Sequence, residues 1–449
     1  MKRDGFGSQL GTLMALIGSA VGLGNLWKFP YMAGKNGGAA FILLYVGFML
    51  LLCLPLMLSE FIIGRRSQSN PVGAFRKLSP GTNWYYTGML GVITAFIILS
   101  FYSVVGGWAV KYLITSLHFG FADISGAAEY FSSFTQSPLE PLFMHLIFLF
   151  FTVAVLWTGI KNGIEKYSKI LMPLLFFMIV ILAVYSITLP GSSMGLVFLL
   201  KPDFSSVTPH VVLDALGQGL FSLSLGMGIV ITYSSYMNKK EDLTKVAILT
   251  IVMDLVFALL AGFFILPAVF AFGFQPDEGP GLLFIILPQV FSKMPFGNIF
   301  AIIFFIVLLI AALTSAISLL EVVVSYLSEE KKLARRKALV ITGVLLAITG
   351  SICSLSLGKL SGVKLFDNNI FDIFDKISSI YMMPAGAFFI SLFVGWKMKK
   401  ADVKDEMSNS GRLQVRSFNL FIWLVRYFVP VAIVVIFLGK LGVFKSLFE

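Results

Sequence analysis

The sequence predicts an all-α polytopic membrane protein of eleven transmembrane helices, a five-plus-five inverted repeat with one span added and with helices 1 and 6 broken. Three observations carry this. Of 449 residues, 57% are hydrophobic and only 13% charged, with a mean hydropathy of +0.90, so apolar runs of about 20 residues, long enough to cross a bilayer, recur from end to end. Lys and Arg gather in short clusters between those runs. Two runs break alike: Gly18-Ser-Ala-Val-Gly22-Leu-Gly24-Asn25 in the first and Ser222-Leu-Ser-Leu-Gly226-Met-Gly228 in the sixth. A broken helix in lipid leaves amides and carbonyls bare, which is tolerated only against protein or a polar cavity. Paired breaks in the two halves of a chain point to a secondary-transport site at the repeat interface.

In order, spans are expected near 10–35, 39–64, 85–116, 143–159, 166–189, 211–237, 243–273, 297–327, 337–357, 371–397 and 418–439. They form one transporter domain over 1–449, with repeat one at about 10–189, repeat two at about 211–397 and the extra span at about 418–439. The opening Met1-Lys-Arg-Asp-Gly5 runs into span 1 without a small-residue cleavage site, so no removable signal peptide is expected. Residues 119–141 are less hydrophobic and read as a long loop. If spans alternate, the clusters at Lys2 and Arg3, Arg65 and Arg66, Lys239 and Lys240, Lys331 to Lys337 and Lys397 to Lys404 share one side, whereas 119–141 has no Lys or Arg. The positive-inside rule then makes the N-terminus cytoplasmic and, with an odd count, the C-terminus external, in a plasma or inner membrane.

The net charge of +11 is accounted for by those clusters, so the partner is the lipid bilayer and no nucleic acid is implied. Cys53 and Cys353 lie far apart in apolar runs, and three histidines are scattered, which gives no disulfide framework and no transition-metal spacing. No nucleophile, base and orienting group come together at membrane depth, so an intramembrane enzyme is poorly supported and none is expected. Oligomeric state is not legible.

The chemistry of a mid-membrane break follows from the backbone. Half-helix N-termini offer amides and partial positive charge to a carboxylate, while unwound carbonyls and hydroxyls suit an ammonium or an alkali cation. A zwitterionic amino acid needs both. Span 8 adds Thr314-Ser315, hydroxyls able to complete an oxygen shell, although such residues commonly bond back to their own i−4 carbonyl. Span 7 carries Asp254 among apolar neighbours, and a carboxylate there is costly enough to imply function.

At these residues the chain becomes recognisable. Gly22-Leu-Gly-Asn25-Leu-Trp-Lys-Phe-Pro30, followed by Asn36-Gly-Gly38, resembles the first-span signature of the neurotransmitter:sodium symporter family. Gln218-Gly-Leu-Phe221-Ser-Leu-Ser224-Leu-Gly226 resembles its sixth span and Leu313-Thr-Ser315 its eighth. An eleven-span form resembles the bacterial branch. Members of this family are among the known cases of paired broken helices around a transport site.

The resemblance implies two sodium sites. The first uses the Ala20 carbonyl, Asn25, Ser222, Asp254 and the substrate carboxylate; the second uses the Gly18, Val21 and Ala311 carbonyls with Thr314 and Ser315. The substrate carboxylate would meet the Leu23 and Gly24 amides and Tyr102, with its ammonium at the Ala20, Phe221 and Ser222 carbonyls and Ser224. Leu23, Ile98, Tyr102, Phe221, Ser224, Met227, Ser315 and Leu319 would line an apolar cup without charge. Outer gating falls to Lys28 and Asp375 with Gln218 nearby and Phe221 as lid, inner gating to Arg3 and Glu329. Lys28 stands where the family usually has Arg, which predicts a looser outer pair. Gly163 and Pro173 have the spacing associated in the family with unwinding span 5.

The function expected is symport of sodium with a neutral hydrophobic or aromatic L-amino acid by alternating access. Animal relatives balance the sodium charge with chloride; here Asp254 replaces a neutral ligand, which predicts chloride independence. The competing classes are a sensor or occluded binding protein and a ligand-gated sodium leak on the same fold.

Overall fold

The structure is a computed structural model describing residues 5–118, 121, 126–275, 281–441 and 443. Among them nine helices are long and apolar enough to cross a bilayer: Ala39–Ser67, Tyr85–His118, Glu140–Trp157, Ile160–Ile187, Leu243–Ala271, Gly297–Glu330, Arg335–Leu355, Ile370–Lys397 and Phe418–Lys440. A further crossing is the pair Gln9–Ala20 and Gly24–Lys35, bent by 49°. Span 6 is Pro209–Ser222 and Ile229–Ser234. With it, the architecture is compatible with eleven spans.

The two breaks differ in cause. Span 6 passes through three left-handed residues, Ser224, Gly226 and Gly228, at φ 54°, 81° and 78°, a region that favours glycine. A Cβ at Gly226 would lie 2.3 Å from the Met383 carbonyl oxygen, so span 10 also requires that glycine. In span 1 the glycine supplies space: a Cβ at Gly22 would lie 2.5 Å from Ser315 Oγ and 3.2 Å from the Tyr102 hydroxyl.

Spans 3 and 8 pack along one another and, with the broken helices, form the buried centre. Spans 4, 5, 7 and 9 present large apolar side chains outward, among them Phe150, Phe177, Val252 and Val344, as lipid-facing helices do.

The stretch 119–141 is not simply a loop. It contains the helix Ala127–Gln136, whose Tyr130 and Phe131 pack on span 3: Phe131 meets Trp108 edge-on at 5.2 Å and the Tyr130 hydroxyl bonds Thr115 Oγ1 at 2.9 Å. Mean hydropathy hid it, because an amphipathic surface helix needs only one apolar face.

Arg426, inside span 11, is accounted for by the join to span 10. Its Nε donates to the Gly395 carbonyl, its guanidinium lies 5.3 Å over the Trp396 ring, and Trp396 Nε1 donates to the Arg426 carbonyl at 3.3 Å.

Candidate functional site

The break in span 1 redirects its amides. Gly22 N donates to Asn25 Oδ1 at 3.2 Å, Asn25 N to the Gly22 carbonyl at 3.1 Å, and Leu23 N faces the Tyr102 hydroxyl at 3.4 Å. In a continuous helix those amides would bind the carbonyls of Gly18, Val21 and Ser19. The Gly18 and Val21 oxygens are thereby released, and the Ser19 carbonyl accepts instead from Ser224 Oγ at 3.1 Å and Ser315 Oγ at 3.4 Å. One carbonyl thus joins spans 1, 6 and 8.

Asp254, fully buried on span 7, draws the other broken ends together. Asn25 Nδ2 donates to its carboxylate at 2.8 Å, Ser222 Oγ at 2.9 Å and the Tyr45 hydroxyl at 3.4 Å. The group combines an anion with amide, hydroxyl and carbonyl oxygens, a hard donor set suited to a small cation. Near Gly18, Thr314 Oγ1 donates to the Ile310 and Ala311 carbonyls at 3.1 and 3.2 Å. The back-bonding to i−4 is therefore real, but it uses the proton and leaves the oxygen lone pairs available. Ala311, Thr314 and Ser315 share the buried face of span 8.

Tyr102, Ser315, Leu23 and Gly22 converge as described. Ile98 and Leu319 are buried on spans 3 and 8, and Met227 is buried in the span 6 break. A Cβ at Gly24 would stand 3.1 Å from the Phe221 ring, so that ring lies directly on span 1. Outside it is a cavity of about 250 Å³ lined by Lys28, Asp214, Gln218, Phe221, Asp375 and Lys440, among others.

Lys28 sets its Nζ 4.1 Å from the Phe221 ring centroid, a cation–π contact with that ring. Among the described residues it forms no direct ion pair with Asp375, whose carboxylate accepts from Ser379 Oγ at 3.2 Å. Gln218 Nε2 donates to the Gly24 carbonyl at 3.1 Å, tying the two broken spans.

On the opposite face Phe6 packs edge-on against Tyr233 and Tyr236 at 5.8 and 6.1 Å, and its amide donates to the Tyr236 carbonyl at 3.1 Å. Arg3 lies outside the described residues. Glu329 accepts from Asn70 N and Nδ2 at 2.8 and 3.0 Å. The first turn of span 5, Ile160–Glu165, is wound as a π-helix, and Glu165 accepts from Gly7 N at 2.6 Å and Ser8 Oγ at 2.9 Å.

Sequence reasoning missed two contributors. Tyr45 gave no signal, since a tyrosine in an apolar span is unremarked. Glu60 did: a carboxylate inside span 2 carries the same warrant as Asp254. It is fully buried and accepts from Gly226 N at 2.7 Å, bracing the span 6 break.

The sequence pattern of the sodium:neurotransmitter symporter family matches residues 3–133 and 139–448. YhdH, an uncharacterized sodium-dependent transporter of Bacillus subtilis, is 43% identical over 438 residues, 97% of each chain. A sodium-dependent transporter of Haemophilus influenzae is 39% identical over 458 residues, 98% of each. Among solved structures, MhsT in complex with L-phenylalanine superposes with a TM-score of 0.90 at 43% identity, covering 97% of this chain and 99% of that one. The chain therefore belongs to the sodium:neurotransmitter symporter family, a multi-pass membrane transporter coupled to sodium and not an enzyme.

Proposed function

We propose that this protein imports a neutral, large hydrophobic or aromatic L-amino acid with sodium by alternating access, without a requirement for chloride. The observation that carries this reading is the meeting of both broken spans at Asp254, through Asn25 and Ser222. In the proposal, Asp254, Asn25, Ser222 and the Ala20 carbonyl hold one sodium with the substrate carboxylate, which makes ion and amino acid binding mutually dependent. The released Gly18 and Val21 carbonyls, the Ala311 carbonyl, Thr314 and Ser315 hold a second. Leu23 and Gly24 amides with Tyr102 take the carboxylate; the Ala20, Phe221 and Ser222 carbonyls and Ser224 take the ammonium. Ile98, Met227, Leu319 and Phe221 enclose the side chain, and Lys28, Gln218 and Asp375 serve the outer gate, Arg3 and Glu329 the inner. The two repeats at about 10–189 and 211–397, and a cytoplasmic N-terminus with an external C-terminus, belong to the same reading.

Reconstitution tests it. Purified protein in proteoliposomes should exchange labelled for unlabelled L-phenylalanine, the ligand bound in MhsT, and accumulate it only down an inward sodium gradient. Binding without exchange would instead identify a sensor, and substrate-evoked sodium current without uptake a leak.

Thr314→Ala and Ser315→Ala should each raise the sodium concentration for half-maximal uptake, by about tenfold if one ligand is worth about 1.4 kcal/mol. Unchanged sodium dependence in both would displace the second site. Tyrosine, phenylalanine, tryptophan or leucine should compete better than glycine, lysine or glutamate, since burying a large apolar side chain contributes about 1.5–3 kcal/mol while a charge would enter unpaired. Met227 lies between two left-handed glycines, and methionine is flexible, so Met227→Phe should shift the preference toward smaller aliphatic substrates. An unaltered competition profile would remove Met227 from size selection.

A further inference from the structure

The outer cavity holds an ion pair that sequence reading did not anticipate. Lys440, the last residue of span 11, places Nζ 2.6 Å from Asp214 Oδ1. Asp214 sits in the outer half of span 6, with its side chain 3% exposed. Asn36 Nδ2 and His210 Nδ1 approach its other oxygen at 3.4 and 3.3 Å. Asp214, Gln218 and Phe221 follow at i, i+4 and i+7, one helix face, so a force on Asp214 acts on the lid two turns below.

A second observation shows that this contact is built. A Cβ at Gly439 would fall 2.3 Å from Leu213 Cδ1, so the glycine lets the end of span 11 lie close against the outer half of span 6 beside Asp214, where a larger residue would have to displace the Leu213 side chain. Lys28 meanwhile rests on Phe221 and, among the described residues, makes no direct ion pair with a carboxylate. The direct charge pair across the outer cavity is made by Lys440.

We infer that Lys440, on the span outside the repeat, is a positioning residue for the outer gate: it holds Asp214, and with it the outer half of span 6, in the closed arrangement over Phe221. This rests on the gate reading above. A desolvated carboxylate that loses its cation is relieved by moving toward water, so neutralising Lys440 favours the outward-open state.

Gly217→Cys supplies the probe, because Gly217 lines the cavity and a Cβ there meets nothing within 4 Å. Both native cysteines are buried, which keeps background low. With sodium present, L-phenylalanine should slow labelling by a membrane-impermeant maleimide added outside; labelling indifferent to substrate would overturn the gate reading itself. With sodium and L-phenylalanine, Lys440→Met on this background should label about fivefold faster or more. Asp214→Asn should match it, and the double variant should exceed neither. Lys440→Arg should label at the parental rate, as should the charge swap Lys440→Asp with Asp214→Lys. The inference is overturned if Lys440→Met labels at the parental rate while substrate still slows it, or if the swap labels as fast as the single variants.

Discussion

Asp254→Asn is expected to abolish sodium-driven uptake in gluconate, with partial recovery in chloride, whereas wild-type uptake is the same in either anion. In the proposed first sodium site the fixed negative charge is Asp254, fully buried and held by Asn25, Ser222 and Tyr45. Unit charges about 4 Å apart interact by about 4 kcal/mol at an effective dielectric of 20. Losing even half of that raises the sodium requirement about thirtyfold. Asparagine keeps the oxygen and the size but not the charge, so a mobile anion must supply it. Tyr45→Phe, which removes one hydrogen bond to the carboxylate and no charge, should be far milder. Strong chloride dependence in wild type, or an Asp254→Asn variant indistinguishable from it in gluconate, would defeat the assignment.

The parts of this site that were legible share one property: each is expensive where it stands. Glycine and serine inside apolar runs weaken a helix, and Asp254 costs solvation, so a residue that persists there announces a use. Gly226 and Gly228 do occupy left-handed backbone, and Asn25 and Ser222 do meet Asp254. Pairings across the fold left no such trace. Tyr45 is cheap in an apolar span, and its partner lies 209 residues away. Lys440 and Asp214, 226 residues apart, each look like ordinary charges near a span end, and nothing periodic relates them. Lys28 is a related case: a pair with Asp375 looser than an arginine would make is readable from the residue type, but that the ammonium lies over the Phe221 ring is not. Spacing along one helix fixes which residues share a face; which face meets which is decided by packing.

One basic cluster does more than mark a side of the membrane. Arg65 reads in the sequence as a cytoplasmic charge, yet it is 1% exposed. Its Nε donates to Glu406 Oε1 at 2.7 Å, and its two other nitrogens donate to the Glu241 and Glu406 carbonyls. The short helix Lys400–Met407 is thereby strapped across the end of span 2 and the turn before span 7, with Arg66 bonding Asp402 at 2.7 Å and Asn409 bonding the Glu241 carbonyl at 3.0 Å.

Arg65→Met should therefore lower the melting temperature of the solubilised protein by roughly 5 °C or more, since breaking a buried ion pair costs about 3–5 kcal/mol. Arg65→Lys should recover only part, because an ammonium cannot serve three acceptors arranged for a planar fork. A thiol-reactive dye reads the transition directly, as Cys53 and Cys353 are buried until unfolding. The deficit should also depend on pH. Burial raises the Glu241 carboxyl above the usual carboxylate range, opposed by the Asn238 amide, Thr12 and the Arg65 charge. A carboxyl raised in the folded state favours folding while protonated, and that contribution is lost as pH rises through the raised value. Removing Arg65 raises it further, so Arg65→Met should fall further below wild type at about pH 8 than at about pH 5. A deficit that is equal at both pH values would mean that Arg65 does not stabilise ionised Glu241. No deficit at either would mean that the strap contributes nothing to the fold.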